Sequence, residues 1–383
     1  MHTWGNILKE VTASIKPGQP PNLDGIRRKY LAELRKHTGR PVILYSSRFT
    51  LPGQQVSPDL LSINDEDMEG FMEVMHGLKS RQLDLILHSP GGSLEAAEAI
   101  VNYLRSKFTD IRVIVPHLAL SAAAMISCSA NKVLMGKHSF LGPTDPQFVL
   151  NTTMGLRAVS AEAVLDQFQM AQAQCQDPAQ LGAWIPMLNQ YGPDLIVKCQ
   201  NACDMSKSLV KGWLESYMLK GSKDATKKAE KIAQWLSTHK NFKTHGRHIP
   251  RRELQRKGLV IEHLEKDKVL QDLVLAVFHA TTITFTNSPV VKIIENYEGA
   301  AFIKSMGMPA QMPQIQIPFA PGQPGQPGMP PGIQFKLPPG MMIPMPGAPQ
   351  PVPQPQPPVP TPKPPATPPS PPAAQPALPK TPP

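Results

Sequence analysis

Leu83-Asp-Leu-Ile-Leu-His-Ser-Pro-Gly-Gly-Ser93 is an apolar run cut off by a Pro-Gly-Gly breaker. Directly after it, Leu94, Ala97, Val101, Leu104 and Phe108 recur at helical spacing. A buried strand, a sharp turn and an amphipathic helix make a βα unit. Working outward, Pro41–Ser47 reads as an earlier strand. Asn64-Asp-Glu-Asp caps a helix whose stripe is Phe71, Val74, Met75 and Leu78. Downstream, Ile111–Pro116 reads as a third strand, Ser121–Ala130 as a short helix of small residues, and Lys132–Met135 as a fourth strand. Strand and helix alternate with short connections, which predicts a parallel sheet covered on both faces.

The flanks read differently. Residues 1–38 form an N-terminal helical segment, loose at its start, with Ile26, Tyr30, Leu31 and Leu34 on one face of a helix over Asp24–His37. From about 155 to 240 the pattern predicts a helical insertion, with helices over Ala161–Ala173, Asp194–Leu219 and Asp224–Thr238 and with Trp213 and Trp235 as core anchors. A closing unit follows: a helix over Arg251–Lys257, a strand from Gly258, a last helix over Lys268–Ala280, and Lys292–Gly299 as the final ordered segment.

In α/β sheets, ligand sites form where strands end and helices begin. Two junctions have unusual residues. Gly91 and Gly92 lack a Cβ ahead of a helix N-terminus, so backbone N–H groups there can approach an oxygen closely, as an oxyanion hole requires. An ordinary strand-to-helix turn would read the same way. At the second junction Ser121 opens an Ala-rich helix; it is either an N-cap or a nucleophile. The junctions lie about 30 residues apart, one βαβ crossover, so both open on the same sheet edge.

Composition narrows the classes. Of 45 prolines, 30 lie in residues 308–383, whose only charges are Lys336, Lys363 and Lys380. Such a segment buries too little apolar surface to offset chain entropy, so it is expected to be a disordered tail outside the chemistry. Net charge is +10, and +7 without those three lysines, but no basic block is interleaved with aromatics, so specific nucleic-acid binding is not expected. Cys128, Cys175, Cys199 and Cys203 lack metal-ligand spacing and read as reduced thiols of a cytoplasmic protein, with peripheral membrane association left open. Val269–Phe285 is interrupted by Gln271, Asp272 and His279, so no transmembrane segment is expected. Neither a Walker loop, a His-Glu-x-x-His motif nor a dinucleotide fingerprint occurs, so no metal and no cofactor is expected.

The Ser-Pro-Gly-Gly turn, the crossover, the serine opening an Ala-rich helix and the Lys-Val-Leu-Met strand together resemble the Clp/crotonase superfamily. Leu87–Gly92, Ser139-Phe-Leu-Gly-Pro-Thr-Asp-Pro-Gln147 and Thr244-His-Gly-Arg247 resemble, within it, the serine dehydrogenase proteinase family, relatives of signal peptide peptidase A. The implied fold is an α/β, ClpP/crotonase-like parallel sheet of repeated βαβ units over residues 39–300, with the helical insertion and then the tail.

The resemblance implies Ser121 as nucleophile, with Gly91 or Gly92 and the Ala122 amide as oxyanion donors. The base departs from pattern. Clp peptidases carry a histidine where this chain has Thr144 or Asp145, and Gly142–Val197 contains none of the lysine that signal peptide peptidase A-like enzymes use. Two candidates stand. In the first, His245 is the base and Asp145 orients it, an exchanged Ser–His–Asp arrangement; alternatively both are loop residues binding backbone. In the second, Lys198 is the base.

The leading expectation is therefore a serine endopeptidase acting on a peptide or protein substrate through an acyl-enzyme. A crotonase-like enzyme acting on an acyl thioester would use the same paired amides. An inactive scaffold would present polyproline II segments such as Pro357–Pro360 to an aromatic groove of a partner. By analogy with related folds the chain is also expected to be a homo-oligomer.

Overall fold

The computed structural model describes residues 2–51, 56–152 and 155–306. The Pro-rich tail over 308–383 lies outside the described residues.

Helices α1 (Trp4–Ala13) and α2 (Leu23–Thr38) lead into strand β1 (Val42–Ser47). Then follow α3 (Pro58–Leu61), α4 (Asp67–Met75), β2 (Gln82–His88), α5 (Leu94–Lys107), β3 (Asp110–Val115) and the two-residue β4 (Leu118–Ala119). Helix α6 (Ala122–Cys128), β5 (Lys132–Met135) and β6 (Phe140–Leu141) complete the repeated units. The next segment comprises β7 (Gln147–Thr152), β8 (Gly155–Ser160), α7 (Ala161–Gln174), α8 (Pro178–Leu188), α9 (Leu195–Trp213) with a π turn over Leu214–Met218, α10 (Ala225–Ser237) and α11 (His239–Phe242). The chain closes through β9 (Ile249–Pro250), α12 (Arg251–Lys257), β10 (Ile261–His263), α13 (Lys268–Asn287), β11 (Val290–Asn296) and β12 (Ala301–Ser305).

One seven-stranded sheet runs β10-β5-β3-β2-β1-β11-β12. The first five strands are parallel, as the alternating pattern requires, whereas β11 and β12 pair antiparallel on the far side of β1. Both faces are covered. On one, Phe71, Val74, Ile100 and Leu104 pack against Ile43, Leu85 and Val113; on the other, Leu31, Leu34, Val274 and Val277 pack against Leu44, Ile86 and Ile114. Strand residues alternate between these layers because successive side chains point to opposite faces.

Strand β11 is pinned by charge as well as by packing. Its Lys292 donates to Asp67 at 2.8 Å and its Glu295 accepts from Arg27 at 2.5 Å, all four side chains being fully buried. Buried ions in water-free surroundings need such partners, so each pair fixes α4 or α2 against the sheet.

Several elements depart from the sequence expectations. The N-terminus is not loose: Ile7 and Val11, four residues apart on α1, are buried and belong to the same core layer as α13. Gln147–Thr152 and Gly155–Ser160 form an antiparallel strand pair ahead of α7, for which the sequence pattern carried no expectation. Helix α8 was not expected. It buries none of its residues and carries Gly182 and Pro186, so neither periodicity nor propensity announced it. Helix α13 runs on to Asn287, and β12 extends the fold beyond Gly299. By length and composition α13 could cross a membrane, but eleven of its residues are buried in this fold, where it packs on α2 and α1.

Candidate active site

The turn after β2 and the turn before α6 meet at the carboxyl ends of the parallel strands. Ser89 N–H donates to Leu118 O at 3.1 Å and Leu120 N–H to Ser89 O at 3.0 Å, which locks the two segments side by side. Ser121 follows with φ 51° and ψ −123°, a left-handed conformation that a residue bearing a Cβ rarely adopts. Its carbonyl begins the helical bonding of α6, accepting from Met125 N–H at 3.0 Å, but its side chain does not cap the helix. The N-cap alternative for the Ser121 hydroxyl therefore does not hold. This strand–strained serine–helix turn drives a hydroxyl outward from the sheet edge.

Glycine is required opposite. Gly91 has φ +96°, and a Cβ there would stand 2.6 Å from both Leu120 O and the Ser121 Cβ. A Cβ on Gly92 would stand 2.2 Å from Ile63 O. The two glycines have different tasks. Gly91 N–H donates to Ser89 Oγ at 3.2 Å, whereas the Gly92 and Ala122 amides carry no partner among the described residues. The short side chains of Ala122, Ala123 and Ala124, all buried, let α6 approach this turn closely.

Ser121, Gly92 and Ala122 open on a cavity of about 470 Å³. Met125, Phe148 and Met205 give it apolar walls; Thr144 and Lys198 also line it. Lys198 stands on the first turn of α9, where its Nζ pairs with Asp194 Oδ2 at 2.7 Å. That hydrogen bond holds the Asp194 carboxyl below its ordinary range, and both side chains are largely solvent-exposed. Ser127 and Ser129, deeper in the same region, donate to Ala123 O at 2.9 Å and Ile126 O at 2.7 Å and face away from the cavity chemistry.

His245 and Asp145 do come together: His245 Nδ1 lies 2.9 Å from Asp145 Oδ1. Asp145 is fully buried, and its second oxygen lies 2.8 Å from Nδ1 of His239, a residue the sequence reading missed. One carboxylate thus clasps two imidazoles and ties the loop after β6 to α11 and the approach to β9. Neither Asp145 nor His245 lines the cavity that holds Ser121. The i, i+4, i+7 spacing of Lys198, Ala202 and Met205 places them on one face of α9, which is how a lysine 77 residues beyond Ser121 reaches its cavity. Nothing local to that helix says what its face will meet.

Residues 25–163 match the family profile of the ClpP-like SDH-type serine proteinases. Over that stretch the chain is similar to this family. The matched stretch includes Gly91, Gly92, Ser121, Ala122, Thr144 and Asp145 and ends before Lys198, His239 and His245. Two uncharacterized proteins of Methanocaldococcus jannaschii are similar to part of it. MJ0137 is 36% identical over 122 residues, and MJ1495 is 30% identical over 125 residues. Each alignment takes in 32% of this chain and 43% and 42% of those proteins respectively, so the chain spans less than half the length of the curated relatives it matches. Among solved structures, a mutant of the 1510-N membrane-bound stomatin-specific protease is similar with TM-score 0.31 and 14% identity, over 53% of this chain and 74% of that one.

Proposed function

We propose that the chain is a peptidase that cleaves peptide bonds through an acyl-enzyme on Ser121, with Lys198 as the base. The observation that carries this reading is the single cavity shared by the strained Ser121, the unpartnered amides of Gly92 and Ala122, and Lys198. A serine hydroxyl is a weak nucleophile until a neighbouring base takes its proton. In the proposed sequence Ser121 Oγ bonds to the scissile carbonyl carbon as its proton passes to Lys198 Nζ. The carbonyl π pair moves to oxygen, where the Gly92 and Ala122 N–H groups meet the developing charge. Collapse breaks the C–N bond, Lys198 returns the proton to the leaving amine, and water then hydrolyses the ester. To act as base, Lys198 has to leave Asp194, turn into the cavity and meet the hydroxyl as a free amine.

The Asp145–His245 pair supports a second reading, in which His245 takes the proton and Asp145 orients it. The cavity lining favours Lys198, because a base must come within hydrogen-bond reach of the hydroxyl. A fluorophosphonate probe tests the nucleophile. It should label Ser121, found by peptide mapping, and label neither Ser121→Ala nor any other serine. Absent labelling together with binding of an acyl-CoA would replace the peptidase by a crotonase-like acyl-thioester enzyme.

A further inference from the structure

Thr144 holds a buried hydroxyl with nothing to bond. The residue is 2% exposed, and its Oγ1 has no hydrogen-bond partner among the described residues. Its backbone, by contrast, is held on both sides: the N–H donates to Leu236 O at 2.9 Å, and the C=O accepts from Ser206 Oγ at 2.7 Å. The residue's backbone is therefore anchored, and Thr144 lines the Ser121 cavity. Buried hydroxyls are destabilising unless hydrogen-bonded, and an orphan in a native fold calls for an explanation. The other orphaned buried hydroxyls, on Ser46, Ser47 and Ser160, do not line this cavity.

We infer that Thr144 is a positioning residue for the base: its Oγ1 accepts a hydrogen bond from Lys198 Nζ when that side chain turns from Asp194 into the cavity. The inference rests on Ser121 and Lys198 being the reacting pair. Three features favour this partner. Lys198 lines the same cavity and is a flexible stem whose present ion pair is exposed, an arrangement that holds a side chain weakly. A hydroxyl, unlike Asp194, is neutral, so it orients the nitrogen by a hydrogen bond alone and not as an ion pair. Finally, the Thr144 backbone is held by Leu236 and Ser206, so its hydroxyl belongs to an anchored stretch of the wall that Ser121 also lines.

Thr144→Val, which exchanges the hydroxyl for a methyl of similar size, and Thr144→Ser, which keeps it, should separate the role from packing. Thr144→Val is expected to lower kcat about 10- to 100-fold with KM little changed, and its Tm should match or exceed that of the parent. Thr144→Ser should keep kcat within roughly threefold, on the scale of losing a methyl rather than the bond. In the Lys198→Met background, Thr144→Val should produce no further loss. The inference is overturned if Thr144→Val keeps its kcat, if Thr144→Ser loses as much as Thr144→Val, or if the two substitutions multiply. An active Lys198→Met would show instead that the base assignment itself has failed, and the inference would fall with it. Inactive Lys198→Met beside active Thr144→Val would remove the Thr144 role alone.

Discussion

Replacing Ser121 with glycine removes the nucleophile and relieves the backbone in one step. Ser121 sits at φ 51°, ψ −123°, a region where a residue with a Cβ is strained by about 1–3 kcal/mol. Glycine has no such strain, and its greater freedom in the unfolded chain costs about 0.5–1 kcal/mol. The Ser121 side chain makes no capping bond that would be lost. The balance favours Ser121→Gly by about 1 kcal/mol, or about 2 °C in Tm for a fold of this size. Ser121→Ala keeps the Cβ and should leave Tm near the parent value. Differential scanning fluorimetry with urea titration reads the stability, and casein-type hydrolysis reads the activity. Loss of hydrolysis with a raised Tm is the expected pairing. A Ser121→Gly variant that unfolds several degrees earlier would refute the strained-turn reasoning; one that still hydrolyses substrate would refute the nucleophile.

Two further outcomes follow from charged groups. Asp194→Asn removes the exposed ion pair that holds Lys198 Nζ at the start of α9 and should raise kcat/KM by roughly two- to fivefold, the scale of such a pair; an unchanged or lower value would separate Lys198 from the chemistry. His88, buried among Phe49, His117 and Phe278, has its pKa pushed down to about 3 by burial and secondarily by His117. The unfolded chain therefore binds a proton from about pH 6.5 downward that the folded one refuses until about pH 3, so stability falls as pH drops through that window. Between pH 7.5 and 4 His88 alone accounts for about 3 kcal/mol. Urea unfolding of the parent and of His88→Asn at both pH values measures it, and equal slopes would rule it out.

The repeated βα units were legible because their signals are local. Leu83–His88, the Gly91-Gly92 turn and the small residues after Ser121 each state their structure within a dozen positions. Local patterning also marked α7, α9 and α10, whose apolar stripes meet neighbours in the fold. It failed where burial is slight. The alternating exposure of Phe148 and Leu150 on β7 leaves too thin an apolar stripe to stand out, and α8 has no buried face at all. The site divides along the same line. Ser121 and the glycines come from adjacent crossovers, whereas Lys198 reaches the cavity from the insertion, and whether it or His245 faces the serine depends on how α9 and α11 dock. Thr144 was not singled out by the sequence, because its orphaned hydroxyl is a property of packing alone.

The base assignment is tested most directly by kcat/KM of Lys198→Met and His245→Ala, measured side by side on a casein-type substrate with Tm recorded for both. Lys198→Met is predicted to lose about 10²- to 10⁴-fold, the contribution of a general base, while His245→Ala stays within a few-fold of the parent. Collapse of His245→Ala at unchanged Tm, with Lys198→Met still active, would contradict the account and hand the proton to the histidine.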